Sequence, residues 1–463
     1  MSPQILLDTI LPHLGAIIGL GLGIILIARL MREKRRPSNT FAWLLIIILA
    51  PYIGVPLFLL IGGRKIQKLS RDKKSLRLHQ LTPKDDSLTI SPFGVVAQGN
   101  STKFIPNATD AYNVLIDSIQ NAKSSIDITT FILSHDAVGR RVVKELSKKA
   151  KEGVHVRLLL DALGSWGKKT LYILDLEKAG GRIERFMPVF PIAFPGASNL
   201  RNHRKIAIFD KSTAIIGGRN IGREYMGPTQ SRRRWTDFGV SITGPAVTAL
   251  NTIFEEDWAF ASRKRGYKAI QQPTLPPVEG GTSTIEIMAS GPDTPDDPLY
   301  EKVLASIQDA EHSVTIVTPY FIPDEVLLRT LSVKARSGKA VRLIVPKKSN
   351  HRITDLARKH FLHELAGAGV QILAYEPEML HGKAMLVDEK MAMTGSANMD
   401  LRSLFVNFEV AAFFYSPQDI DEVKSWIQDV SSRCTQLKKE DLVRQRYLKG
   451  LAEDLSRLIA PLL

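Results

Sequence analysis

At 463 residues the chain is long enough for two or three domains, and 44% hydrophobic with 24% charged residues describes a folded protein rather than a disordered one. The 62 Lys and Arg exceed the 47 Asp and Glu by 15, which favours anionic surroundings: nucleic acid, an acidic membrane face or a phosphate-bearing substrate. The lone cysteine, Cys434, excludes an intrachain disulfide and a cysteine-rich zinc site, and leaves cysteine chemistry as a poor basis for function.

Residues 14–31, LGAIIGLGLGIILIARLM, are uncharged until Arg29 and long enough to cross a bilayer core as a helix. After the basic connection REKRRPSNT, residues 41–61, FAWLLIIILAPYIGVPLFLLI, form a second apolar run with Trp43 near one interface. Together they predict a transmembrane helical hairpin within residues 1–63, with Pro51 and Pro56 introducing a kink or an incomplete crossing. A cleaved signal peptide is disfavoured, because no positively charged start precedes the first run and the second would be left unexplained.

Two full crossings would put everything after residue 61 on the same face as the amino terminus, and the positive charges disagree about which face that is. The connection carries Arg32, Lys34, Arg35 and Arg36. A basic linker over residues 64–99 begins with Arg64, Lys65, Lys68, Arg71, Lys73, Lys74 and Arg77. This larger cluster suits an anionic inner leaflet and points to a catalytic body facing the cytoplasm; an ordinary solvated linker is the alternative.

The remainder repeats itself. Tyr112, Leu115, Ile116 and Ile119 share a helix face, and Tyr300, Val303, Leu304 and Ile307 repeat the spacing 188 positions later. Strand-like SSIDITTFIL and HSVTIVTPYFI follow, then helices ending at Gly153 and Gly338, then the strands VHVRLLL and AVRLIV. This alternation predicts an α/β fold with a largely parallel sheet in two pseudo-symmetric lobes, residues 100–270 and 284–463, joined by the linker QQPTLPPVEGGTS.

Each half contains H-x-K-x-x-x-x-D: His203, Lys205 and Asp210, then His381, Lys383 and Asp388. A glycine lies 14 residues beyond each histidine, Gly217 or Gly395, and an asparagine 17 beyond, Asn220 or Asn398. One copy would be weak; two in register are not coincidence. Strand alternation sends each histidine and its lysine to one face, so packed lobes can bring two imidazoles and two ammonium groups around one phosphate.

A neutral imidazole can attack phosphorus to form a phosphohistidine, while the second, protonated, serves the leaving alcohol. Lys205, Lys383, Asn220 and Asn398 would stabilise the phosphoryl oxygens, so that neither a metal nor another cofactor is required. Asp210 and Asp388 complete the candidate catalytic set, but their opposite strand parity predicts that they brace the turn and backbone. Asp237 in RWTDFGV and Glu409 in NFEVAAF could each fix the tautomer of a catalytic imidazole.

At these residues the chain resembles the phospholipase D superfamily. With the RRPS-containing loop, TPYFIPDE from Thr318, ASGP from Ala289 and the terminal PLL, it is similar to the bacterial cardiolipin synthases over essentially its whole length. The resemblance implies two lobes sharing one active site, a phosphatidyl-histidine formed on His203, and His381 as general acid and base. It implies transfer between two phosphatidylglycerol molecules, giving cardiolipin and glycerol, at a bacterial inner membrane; phosphatidylethanolamine could serve as donor in related enzymes. One departure is GGRN in the first half, which lacks at Gly218 the hydroxyl that Ser396 supplies in the second.

A nuclease would use the basic charge, including Arg232, Arg233 and Arg234, but gains nothing from a membrane anchor, so no nucleic-acid partner is expected. An inactive scaffold is disfavoured because both motifs are intact. A metal site at His360 and His363 is weaker than an ordinary helix-surface placement.

Overall fold

Apolar residues head the chain, and in the computed structural model they form short helices, Pro37–Leu49 and Pro51–Ile61, where a single span was expected over residues 41–61. The helices are 13 and 11 residues long, and Trp43 packs edge-on against Phe58 at 5.2 Å, so the second apolar run folds back on itself. Among the described residues, no helix is long and apolar enough to cross a membrane. The described residues are 21, 24, 25, 28, 37–61, 87–166, 172–188, 199–262, 273–294 and 296–442; the expected first span, 14–31, falls almost entirely outside them. By contact the chain divides into two units, Met1–Ile66 with Pro188–Leu200, and Gln67–Met187 with Arg201–Leu463.

The larger unit is built on β-branched and aromatic runs that form one 16-stranded sheet. Its first half contains β1 (Leu88–Ile90), β2 (Val95–Ile105), β3 (Ser125–Thr130), β4 (His155–Asp161), β5 (Arg182–Phe186), β6 (Ile206–Phe209), β7 (Thr213–Gly217) and β8 (Gly239–Thr243). The second contains β9 (Ser283–Ser290), β10 (Ser313–Val317), β11 (Phe321–Ile322), β12 (Ala340–Pro346), β13 (Gln371–Tyr375), β14 (Ala384–Val387), β15 (Met391–Gly395), β16 (Met399–Asp400), β17 (Glu409–Phe414) and β18 (Cys434–Leu437). β11 and β16 pair separately.

Strand order makes the duplication explicit: β5-β4-β3-β6-β7-β8-β2 in one half matches β13-β12-β10-β14-β15-β17-β9 in the other. The antiparallel β2–β9 pair fuses the halves into one continuous sheet. β1 and the start of β2 lie within residues 64–99, ahead of the expected lobe boundary, and pair with each other. The predicted largely parallel sheet is corrected to a mixed one: β3-β4-β5 and β10-β12-β13 run parallel, while β6-β7-β8 and β14-β15-β17 run antiparallel. Helix crossovers permit the parallel pairs, whereas short turns after β6 and β14 force antiparallel neighbours.

The predicted helix faces do pack on the sheet. Leu115 and Ile119 of helix Ala108–Asn121 join Val142 and Leu146 of helix Ala137–Lys151 over Ile126, Ile128 and Leu158. Val303 and Ile307 of helix Pro298–Asp309 join Leu327 and Leu331 of helix Glu325–Arg336 over Val314, Ile316 and Leu343. Helix Ala246–Ser262 is buried along nearly its whole length, and its buried acids are paired: Glu255 accepts from Arg157 Nη2 at 2.5 Å and Asp257 from Arg204 Nη1 at 2.7 Å.

Candidate active site

Each motif histidine precedes the first strand of an antiparallel hairpin, β6 or β14, and is held by the opposite half. His203 donates its backbone N–H to Phe408 O at 2.9 Å, and His381 to Thr236 O at 2.7 Å. These contacts set the residues that follow, Glu409 and Asp237, against the imidazoles. Nδ1 of His203 lies 2.9 Å from Glu409 Oε1, and Nδ1 of His381 lies 2.6 Å from Asp237 Oδ2. The two acids are thus exchanged between halves, a partnership that strand spacing alone left open.

All six ionisable groups at this centre, the two histidines, Lys205, Lys383, Asp237 and Glu409, are buried. Burial pushes His203 down to about 4, opposed by the Glu409 carboxylate, and His381 down to about 3, assisted by Lys383 and opposed by Asp237. Both imidazoles are therefore neutral at rest. Asp237 and Glu409 are held below their usual range by the cations and imidazoles beside them, which outweigh their own burial. A carboxylate accepting from Nδ1–H leaves Nε2 as the basic nitrogen.

Lys205 Nζ donates to His203 O at 2.6 Å, and Lys383 Nζ bonds the carbonyl of His381 and lies 3.0 and 3.3 Å from its ring nitrogens. Burial pushes Lys205 well down and Lys383 to about 8. Lys383 lowers the proton affinity of His203 and Lys205 that of His381, so each cation acts across the boundary between halves. Two cations and two oriented imidazoles at one buried point can receive an anionic tetrahedral or pentacoordinate phosphorus. Among the described residues no group of three or more His, Cys, Asp or Glu is placed to hold a metal ion.

Asp210 and Asp388, grouped by sequence with the catalytic set, lie on the hairpin turns, where the structure gives them a bracing position. Asp210 Oδ1 accepts from Ser124 N at 2.6 Å and Ser125 N at 3.0 Å; Asp388 Oδ1 accepts from Ser313 N at 2.6 Å and His312 N at 2.8 Å. Asp210 and Lys211 have φ of 49° and 60°, and Asp388 and Glu389 50° and 54°, as the central pair of a tight turn within the three-residue loops that join β6 to β7 and β14 to β15.

The glycines of the motif permit close strand approach. A Cβ on Gly217 would lie 2.7 Å from Gly239 Cα, and one on Gly395 2.7 Å from Ala411 Cα. At the next position a Cβ on Gly218 would collide with the Asp237 carboxylate, whereas Ser396 in the other half donates its hydroxyl to Glu409. The GGRN departure thus compensates for a different acid: the shorter aspartate occupies the space beside Gly218. Ser396 touches the orienting acid within the protein. Asn220 Oδ1 accepts from Ile132 N at 3.3 Å, while the buried Oδ1 of Asn398 makes no hydrogen bond within the protein.

Several residues around the centre were not singled out by sequence. Phe131 stands edge-on to His203 at 5.2 Å, and Tyr225 and Trp235 flank His381 at 5.2 and 5.3 Å. Arg204 donates from Nη1 to both Asp257 oxygens at 2.7 Å, and from Nε to Glu409 O at 3.1 Å, tying the first half to the second behind His203. Its signal was available: Arg204 leads into the apolar strand Ile206–Phe209, which is buried on both faces, and a cation at such a position requires a buried partner. Arg232 and Arg234 line a cavity of about 640 Å³ with Trp235, Thr236, Asp237 and Arg433. His360 and His363 lie on helix Arg352–Gly367, where His360 packs against Phe361 at 5.7 Å.

A fused duplicate with one histidine and one lysine from each half defines the class as a two-lobed PLD-like protein. The family described as "Cardiolipin synthase, PLD-like domain" matches residues 115–258 and 303–430, and one described as "Phospholipase_D-nuclease N-terminal" matches residues 21–63. The chain is 33% identical over 456 residues to a cardiolipin synthase of Geobacillus kaustophilus, covering 93% of this chain and 90% of that one. It is 32% identical over 459 residues to cardiolipin synthase 1 of Bacillus anthracis, with the same coverage of 93% and 90%. The chain belongs to the cardiolipin synthase family, and its amino-terminal match marks it as membrane-associated. The fold is also that of a phosphatidylserine synthase from Haemophilus influenzae, with a TM-score of 0.61 at 16% identity over 78% of this chain and 95% of that one.

Proposed function

We propose that the protein is a phosphatidyltransferase making cardiolipin and glycerol from two phosphatidylglycerol molecules, with its catalytic body facing the cytoplasm. The observation that carries the chemistry is the exchanged pair of contacts, His203 with Glu409 and His381 with Asp237, around Lys205 and Lys383. Membership of the cardiolipin synthase family supports the lipid substrate.

His203 Nε2, basic because Nδ1–H is held by Glu409, attacks the phosphorus of the first phosphatidylglycerol. The P–O bond to the headgroup glycerol breaks, and His381 Nε2–H delivers a proton to the departing oxygen. The site is neutral in its imidazoles at rest, and the arriving anionic diester offsets the fields of Lys205 and Lys383, so His381 takes up its proton as substrate binds. The terminal hydroxyl of a second phosphatidylglycerol then gives its proton to His381 and attacks the phosphatidyl-histidine. The P–N bond breaks, releasing cardiolipin and restoring His203. Lys205 and Lys383 stabilise the equatorial oxygens in both steps, with Asn220 and Asn398 as further amide contacts.

The test is product identification. Purified protein in vesicles of labelled phosphatidylglycerol, with and without phosphatidylethanolamine, is expected to yield cardiolipin and free glycerol from phosphatidylglycerol alone. Phosphatidic acid as the main product would replace transfer by hydrolysis, and DNA cleavage with unchanged lipid would replace it by nuclease activity.

A further inference from the structure

No charged side chain occurs in residues 37–61, yet this stretch does not make one crossing helix. Trp43 and Phe58 would stand about 22 Å apart on a continuous helix, but their rings meet at 5.2 Å. Ile47, Val55 and Phe58 are buried between the two arms. Gly54 lets the arms close, since a Cβ there would lie 2.6 Å from Ile46 O. The tip keeps its backbone bonded, with Ala50 N donating to Ile46 O at 2.9 Å and Gly54 N to Ala50 O at 2.7 Å. Pro51, first in the second arm, removes one donor that would otherwise need a partner there.

At about 1.5 Å per residue, the arms rise roughly 20 and 16 Å, short of a hydrocarbon core of about 30 Å. Their outer surface is nevertheless apolar: Leu45, Ile46 and Ile48 are exposed, and at the tip Leu49 and Tyr52 are 73% and 76% exposed. An uncharged, internally bonded hairpin with an apolar exterior and basic segments at both feet is matched to one environment, the outer part of a bilayer with anionic headgroups.

We propose that residues 37–61 form a re-entrant hairpin that dips into the bilayer and returns to the face it entered. The basic residues 32–36 and 64–77 then lie together on the cytoplasmic face. This removes the conflict created by two crossings, because both clusters obey the same charge preference once the second run does not cross. The proposal rests on the reading of the protein as a membrane-bound lipid enzyme, and it fixes the face on which the chain leaves the membrane toward its catalytic body.

Single cysteines at Ser38 and Ser70 in the full chain, in a Cys434→Ser background, test the topology with a membrane-impermeant maleimide. Both positions should react in inside-out vesicles and neither in intact spheroplasts. Reaction of the two from opposite faces would overturn the re-entrant path, and reaction of both only from outside would overturn the cytoplasmic assignment. Because a variant can misinsert, a Trp43→Cys, Phe58→Cys pair provides a second reading: a short bis-maleimide should bridge it within one chain. A bimane on Tyr52→Cys should be quenched by spin-labelled lipids; no quenching, with cross-linking between copies, would assign the tip to a protein interface instead. Cardiolipin formation by the Ser38 and Ser70 variants is scored separately, so same-face labelling without lipid turnover would refute the enzymatic reading and leave the topology intact.

Discussion

Nδ1 of His203 meets Oε1 of Glu409 at 2.9 Å although 206 positions separate them. Asp237 and His381 repeat the relationship in the reverse direction, so neither half owns a complete acid–histidine pair. Replacing Glu409 with Gln preserves shape but not the carboxylate that selects the Nδ1–H tautomer. Transfer should fall about 10²- to 10⁴-fold with folding retained, and Asp237→Asn should have a comparable effect through the other histidine. Steady-state rates with unchanged circular dichroism check both; full activity in either variant would remove that acid from the mechanism.

The two histidines should separate when the leaving group is changed. With a nitrophenyl phosphatidyl donor, whose departure needs no proton, His381→Ala should still accumulate a phosphatidyl group on His203, detectable by intact mass. His203→Ala should accumulate none. A covalent adduct in the reverse variant would exchange the two roles.

Burial pushes Lys383 from its usual 10.5 down to about 8. Its ammonium is lost as pH rises through about 8, so transfer should decline there. Stability responds with the opposite sign: between about 8 and 10.5 the unfolded chain holds a proton that the folded chain has released, so the contribution of this group to stability rises with pH. Rate profiles and urea titrations across that window should diverge in the parent protein. In Lys383→Met the rise in stability due to this group should vanish.

Gly218→Ser copies the residue of the second half into a space already occupied by the Asp237 carboxylate. Displacing that acid by about 1 Å should cost on the order of 10²-fold in transfer. Ser396→Gly, which removes a hydroxyl but inserts nothing, should cost less. Equal effects in the two halves would refute the steric account.

Asp210→Ala should behave as a stability variant. It removes the acceptor of the Lys123, Ser124 and Ser125 amides at the hairpin turn, a loss of about 1.5–3 kcal/mol for charge-assisted bonds. Denaturant midpoints should fall while the rate per folded molecule remains near that of the parent. A large loss of rate without loss of stability would return Asp210 to the reaction centre.

The duplicated H-x-K-x-x-x-x-D motifs, the apolar helix faces and the bracing geometry of Asp210 and Asp388 were legible in the sequence, because strand and helix periodicities are local properties of the chain. Arg204 was legible too, as a cation at a core-facing position, although its partner Asp257 was not. The mixed sheet required knowing which connections turn back and which cross over. The fold-back at Ala50 depends on contacts between Trp43 and Phe58 that hydropathy does not encode.

For the site itself, sequence determined that His203, Lys205, His381 and Lys383 form two equivalent sets, and that Asp237 and Glu409 were candidates to orient the imidazoles. Only tertiary structure decided that each acid serves the histidine of the other half. The physical reason is that the β2–β9 pairing fuses the sheet and sets the segment before β6 beside Phe408 and the segment before β14 beside Thr236. A hydrogen bond across that junction depends on register between strands distant in sequence, which no local pattern specifies.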